Sequence, residues 1–156
     1  NANGEVRLAH PTYVTNLEAG DDRIAKATLR TTSASNSGLT SNRDVWVYTS
    51  STAPIPIIRN EELILIYAEA NIQNDQLTVG RDALNVIRNG HGLADYSGPL
   101  TKAALIDEML KQRRYSLFFE GHRWIDMRRY DRLNTLPIDR AEDDVWSAMP
   151  IPSTEL

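Results

Sequence analysis

Apolar positions along this chain are ordered in its middle and scattered at both ends. From Arg59 to Arg132 hydrophobic residues recur at helical spacing, whereas residues 1–58 and 133–156 hold no sustained period. Asn60 is placed to cap a helix, and Glu61 and Glu62 put negative charge into its first turn. The run that follows, Leu63 to Ile72 (LILIYAEANI), is apolar almost all round, the pattern of a helix buried on several sides. Asn74-Asp75-Gln76 is a polar turn. Thr78 can cap a second helix with Ala83, Leu84 and Ile87 on its inner face, and Asn89-Gly90 supplies a left-handed end. After a glycine-bearing loop, Thr101 caps a third helix, with Leu105, Ile106, Met109, Leu110, Leu117 and Phe118 as its core stripe. Gly121 marks a bend or a close helix contact, and a fourth helical piece runs from Arg123 to about Asp131.

The flanks read differently. Ser, Thr, Asn and Gly cluster over residues 31–42 (TTSASNSGLTSN), the composition of a surface loop. Val45-Trp46-Val47-Tyr48 suggests a short strand with the two valines on one face and the two aromatics on the other; Ala25–Leu29 is a second extended piece. Pro54 and Pro56 block regular structure. The tail from Leu136 is irregular. Residues 59–91 have the size of one tetratricopeptide-like helical hairpin, with no second copy at that period. One hairpin cannot bury its own apolar faces, so the pattern implies packing surface outside this chain and a fragment of a longer protein. The expected fold is mainly α: tetratricopeptide-like helical hairpins with long irregular loops and one short β-hairpin. It forms a single domain over 1–156, divided into a loop-rich part (1–58), a helical core (59–132) and an irregular tail (133–156).

Charge sharpens the picture. The 156-residue chain carries a net charge of −4, yet the stretch from Lys111 to Arg132 holds seven cations against three acids. A basic helical segment in an acidic chain must pair with acids of its own fold or face a partner. The overall acidity argues against general nucleic-acid binding. The absence of cysteine removes disulfides, thiolate nucleophiles and Cys-ligated zinc. No apolar run has the length of a membrane span, and the first residues, NANGEVRLAH, are without Met, a basic segment or an apolar one, so the chain is expected to start after processing or in the middle of a longer protein.

Five pieces of the chain, in order, resemble the C-terminal region of the SusD/RagB family, the outer-membrane nutrient-binding lipoproteins of Bacteroidota. Asp22-Arg23 resembles the family's D-x-R element. Ile58-Arg59, Leu63, Leu65 and Tyr67-Ala68-Glu69-Ala70 resemble its R-x-x-E-x-x-L-x-x-A-E-A helix. Ala83-Leu84-Asn85 with Ile87-Arg88 resembles A-L-N-x-I/V-R. Arg113-Arg114, Leu117, Phe119-Glu120-Gly121, Arg123-Trp124, Asp126-Met127 and Arg129 resemble E-R-R-x-E-L-x-F-E-G-x-R-W-x-D-L-x-R. Met149-Pro150-Ile151-Pro152 and Glu155 resemble the terminal L-P-I-P-x-x-E. Two acids of the pattern are missing: Gln112 and Ser116 stand in their places. The family's lipidated cysteine and N-terminal tetratricopeptide-like helices would lie upstream of Asn1.

Candidate sites follow. The arginine cluster reads as structural ion pairs, because Glu120–Arg123, Asp126–Arg129 and Arg128–Asp131 are spaced i,i+3 and His122–Asp126 i,i+4. Glu69, a carboxylate within an apolar helix, is expected to meet Arg113, Arg114 or Arg123. The resemblance implies the same structural role. No pair of acids has glycosidase placement, and the three histidines lack metal-ligand spacing, so neither enzyme activity nor a metal or other cofactor is expected. Aromatic rings in polar, loop-like sequence suit the apolar faces of sugars: Trp46 and Tyr48 foremost, then Tyr13 and Tyr96. Trp124 and Trp146 are assigned to packing.

What the resemblance implies is non-catalytic capture of an oligosaccharide or other nutrient at the cell surface, for delivery to a SusC-like TonB-dependent transporter, with the lipid anchor upstream. The alternative is a structural module that docks the N-terminal repeat half and the transporter without a ligand site of its own. Burial of both Trp46 and Tyr48 would favour the alternative.

Overall fold

The computed structural model describes residues 6–149 with Ile151, Pro152 and Thr154; Pro150 and Glu155 of the terminal motif lie outside the described residues. A short helix α1 (Thr12–Thr15) and a 3₁₀ turn (Asp22–Lys26) lead into strands β1 (Ala27–Asn36) and β2 (Leu39–Val45). Helices α2 (Asn60–Gln73), α3 (Leu77–Gly90), α4 (Lys102–Ser116) and α5 (His122–Arg129) follow, and a 3₁₀ turn (Leu133–Thr135) opens the tail. The protein is mainly α with one two-stranded antiparallel sheet.

The helices share one core. The three-residue link Asn74–Gln76 folds α3 back on α2, and α4 packs across both. Leu65, Ile72, Leu84, Leu105 and Met109 are fully buried between them. Gly80 lets α2 and α3 approach closely: a Cβ there would stand 2.4 Å from Ile72 Cγ1 and 3.3 Å from the Ala68 carbonyl. Thr101 caps α4 as expected, its hydroxyl accepting from the Ala104 N–H at 3.3 Å. Elsewhere the ends shift. Asn60 is the first helical residue, after Arg59 at the cap position; Gln76, not Thr78, precedes α3. The helix also runs through Gly90, and Gly92 (φ +78°) takes the left-handed position.

Two expectations are overturned here. The 31–42 segment is a β-hairpin, not a loop: Thr28 pairs with Asp44, Ser35 with Thr40, and Ser37 and Gly38 turn the chain with φ of 51° and 85°. Both values are positive, as a tight two-residue hairpin turn requires. The ribbon has few apolar residues because most of its length faces solvent, so alternation was absent and composition misled. Helix α2, in turn, is buried on one side only. Leu65, Ala68 and Ile72 are covered, while Leu63, Ile66 and Tyr67 are each about half exposed, because α3 and α4, the elements that pack most on it, cover one face.

A second, smaller core joins the hairpin to the end of α4. Ala9, Tyr13, Ala27, Val45 and Tyr115 form it, with Tyr13 edge-on to Tyr115 at 5.2 Å and against Phe118 at 4.1 Å. Val47 packs on it too, on the same side as Val45. Only Val45 of the strand read over Val45–Tyr48 lies in β2, and Val47 both packs on this core and lines the groove that Trp46 and Tyr48 line. α4 ends before Leu117; Phe119 (φ 67°) and Gly121 (φ 82°) make the bend that starts α5.

Candidate functional site

Polar residues on α4 face inward and organise the molecule's charges. Arg23 is 2% exposed. Asp21 grips it with Oδ1 on Nε at 2.8 Å and Oδ2 on Nη2 at 2.7 Å. The rest of the guanidinium donates to Gln112 Oε1 at 2.7 Å and Ser116 Oγ at 3.0 Å. Gln112 in turn donates to Glu108 at 2.7 Å, and Arg88 donates to both Glu108 (2.5 Å) and Glu18 (2.8 Å). One connected network thus ties the 18–23 segment to α3 and α4. The Arg88 bond, against an opposing effect of burial and with help from Lys111, holds the Glu18 carboxyl down to about 2.

The basic motif pairs differently from its sequence spacing. Asp126 receives Arg113 Nε at 2.7 Å and only weakly its i+3 neighbour Arg129, at 3.4 Å. Glu69 meets Arg129 Nη2 at 2.8 Å and the Tyr130 hydroxyl at 2.6 Å, not Arg113, Arg114 or Arg123. Glu69 meets Arg129 and Tyr130 at the end of α5, while Arg113 is taken by Asp126 and Arg114 by Thr12 of α1. Glu69 is also less buried than its apolar surroundings suggested, its side chain being 14% exposed and that of Arg129 47%. Burial, and then Glu69, push the Tyr130 hydroxyl up to about 12. Glu120 pairs with Arg59 at 2.7 Å, not with Arg123. Arg114 donates to Thr12 Oγ1 at 2.9 Å, and Arg128 lies over the Trp124 ring. Among the described residues neither Arg114 nor Arg123 makes the ion pair expected of it.

The aromatic candidates separate into two groups. Trp46 is half-buried and Tyr48 36% exposed. They line one open groove of about 520 Å³, together with Lys26, Pro54, Arg59 and Glu120. Lys26 and Arg59 both donate to the Ser116 carbonyl at the C-terminal end of α4, where the helix dipole favours cations. Burial, then the Arg59 charge, push the Lys26 ammonium down to about 8. The groove therefore joins a two-ring apolar surface to a cation, an anion and an ammonium near its titration point. That set can stack on a flat ligand and hydrogen-bond its hydroxyls.

Tyr13 does not belong there. It is 1% exposed, sits in α1, and spends its hydroxyl on the Arg23 carbonyl at 2.9 Å, so burial pushes its pKa above the ordinary value. Tyr96 folds over Gly98 and packs on the helical core, away from the groove lining. Trp124 donates its indole N–H to the Trp146 carbonyl at 2.8 Å. Lys26 and Arg59 were not singled out for the groove, because nothing local marks them: they arrive from separate segments over the end of α4. No three His, Asp or Glu side chains among the described residues cluster as metal ligands, and none of the described helices is long and apolar enough to cross a membrane.

The SusD family model matches residues 13–153, nearly the whole chain. The chain belongs to the SusD family. A solved structure of a SusD superfamily protein from Bacteroides vulgatus ATCC 8482 is 36% identical, with a TM-score of 0.49, over 50% of this chain. The match spans 17% of that protein's length. No curated protein matches the chain. Proteins of the SusD family are non-catalytic binders associated with the cell surface, and membership supports a nutrient- or glycan-binding role in general. The two departures from the family's motif, Gln112 and Ser116, both contact Arg23. Where the family pattern has acids, this chain offers neutral acceptors and leaves the counter-charge to Asp21.

Proposed function

We propose that this chain is the C-terminal part of a cell-surface nutrient-binding protein that captures an oligosaccharide in the Trp46–Tyr48 groove. The captured ligand would pass to a SusC-like TonB-dependent transporter, from a protein held at the outer membrane by a lipid anchor upstream of this chain. The observation that carries the reading is the pairing of Trp46 and Tyr48 along one open groove, beside Lys26, Arg59 and Glu120. Rings of that kind cover the C–H faces of a sugar, and the charged groups take its hydroxyls. Such shallow sites gain affinity mainly when contacts multiply.

A docking module without its own ligand site is favoured by a different observation. Ile55, Ile57 and Ile58 are 71%, 95% and 67% exposed, and Leu63, Ile66 and Tyr67 continue apolar surface along α2. This surface suits the N-terminal repeat half of a longer protein. The partial exposure of Trp46 and Tyr48 nevertheless favours ligand capture. Affinity electrophoresis of full-length protein in gels containing soluble glucans, xylan or mannan distinguishes the two. Trp46→Ala is expected to abolish retardation by the retarding glycan with little change in melting temperature. Unaltered retardation would remove Trp46 from the site.

A further inference from the structure

A second pocket, of about 450 Å³, lies between α1, the end of α4 and α5, and carries chemistry that the groove does not. Arg113, Arg114 and Arg123 all line it, against one carboxylate, Asp126. Asp126 is already engaged by Arg113 Nε and Arg129. Arg113 is 6% exposed, yet its Nη1 is buried with no hydrogen-bond partner. Arg123 is half-buried and makes no ion pair among the described residues; burial, then the neighbouring Arg114 charge, hold its pKa below the ordinary value. Arg113 has its counter-charge in Asp126, whereas Arg114 and Arg123 make no ion pair among the described residues, an arrangement that an incoming anion would relieve.

The site is built rather than accidental. Thr12 N–H donates to His10 Nδ1 at 3.2 Å, which makes that nitrogen an acceptor and puts the ring proton on Nε2, 2.9 Å from Asp139. The Thr12 hydroxyl then donates to Nδ1 at 2.8 Å and accepts Arg114 Nη2 at 2.9 Å, fixing the direction of that guanidinium. Leu117, Phe118, Trp124 and Leu136 line the pocket beside Arg114 and Arg123, the two of its arginines that are not fully buried.

We propose that this pocket binds a small ring-bearing carboxylate, with a uronic-acid sugar as the ligand class that fits. Guanidinium forks match a planar carboxylate, and the aromatic wall takes the C–H face of the ring. The volume falls in the lower part of the range of small-ligand pockets. This site is separate from the Trp46 groove and does not rest on it.

Isothermal titration of the protein with glucuronate tests the assignment, with glucose as neutral control and inorganic sulfate as an anion without a ring. Saturable binding of glucuronate alone is expected, weakening as salt rises. Arg123→Gln is expected to weaken it at least tenfold, and Arg123→Lys, which keeps charge but loses the fork, by less. Trp46→Ala is expected to leave it intact, so this site and the groove can fail separately. No heat with glucuronate, equal affinity for glucose or sulfate, or undiminished binding in Arg123→Gln would overturn the proposal. Should circular dichroism show Arg123→Gln unfolded, Arg114→Gln takes its place; undiminished glucuronate binding there is equally decisive.

Discussion

Asp21→Asn is the most informative perturbation of the scaffold. Asp21 and Arg23 expose about 1% of their side chains each, and among the described residues Asp21 supplies the one carboxylate in contact with the Arg23 guanidinium. The substitution keeps the shape, removes the charge and turns one oxygen into an N–H₂ that opposes Arg23 Nη2. Breaking a buried pair from one side costs about 3–5 kcal/mol. Gln112 Oε1, the Gln112 carbonyl and Ser116 Oγ still accept from Arg23, which puts this case at the lower end of that range, about 3 kcal/mol. At about 2–4 °C per kcal/mol for a chain of this size, the melting temperature should fall by roughly 10 °C. The second arm is Gln112→Glu, which restores the acid of the family motif. Alone it should destabilise, because Gln112 now donates to Glu108 and the change sets two carboxylates together. Combined with Asp21→Asn it should recover about 1–2 kcal/mol, since the new charge faces the orphaned guanidinium. Thermal and urea melts followed by circular dichroism give all four corners of the cycle. A melting temperature for Asp21→Asn within two degrees of the parent, or strict additivity of the two changes, would refute the compensation argument.

Three further outcomes follow from the same structure. Glu69→Ala should cost only about 1 kcal/mol, because Arg129 is half exposed and finds water; a loss above about 3 kcal/mol in urea melts would contradict the pairing with an exposed arginine. Stability should decline as pH falls from about 4.5 toward 2, because Glu18 titrates at about 2 in the folded chain and higher when unfolded; Glu18→Gln should flatten this acid limb, and identical limbs would exclude Glu18 as its source. Gly80→Ala should destabilise by about 1–3 kcal/mol through the clash with Ile72 and the Ala68 carbonyl, and a neutral or stabilising effect would show that α2 and α3 separate freely.

The helical core was legible in the sequence because its signal is local. Leu105, Ile106, Met109 and Leu110 lie on one stripe of α4, Ala83, Leu84 and Ile87 on one face of α3, and all seven are buried. The hairpin over 27–45 was legible only at its outer ends, where Ala25–Leu29 and Val45–Tyr48 read as extended: the exposed Ser/Thr ribbon between them has no alternation to read, and its cue was the Ser37-Gly38 turn. Ion pairs were read through i,i+3 spacing, which sees one helix at a time. Glu69–Arg129, Glu120–Arg59 and Arg88–Glu108 all cross between elements, so spacing could not find them. The same limit applied to Tyr13. Polar neighbours in sequence made it look accessible, whereas Tyr115 and Phe118, about a hundred residues later, enclose it. Trp46 and Tyr48 stood out because aromatic rings in polar, loop-like sequence are a local signal; the Lys26 and Arg59 wall came only with the fold.

The claim on which the functional account turns is that ligand meets the chain at Trp46 and Tyr48 and leaves chemically unchanged. Three tryptophans give three indole N–H signals, and only Trp46 lines the groove, while Trp124 is bonded to the Trp146 carbonyl. Titration of ¹⁵N-labelled protein with neutral gluco-, xylo- and manno-oligosaccharides should shift the Trp46 signal for at least one of them, leave Trp124 and Trp146 in place, and return the sugar intact. A Trp46 signal unmoved by every sugar, movement confined to Trp124 or Trp146, or the appearance of cleaved products would contradict it.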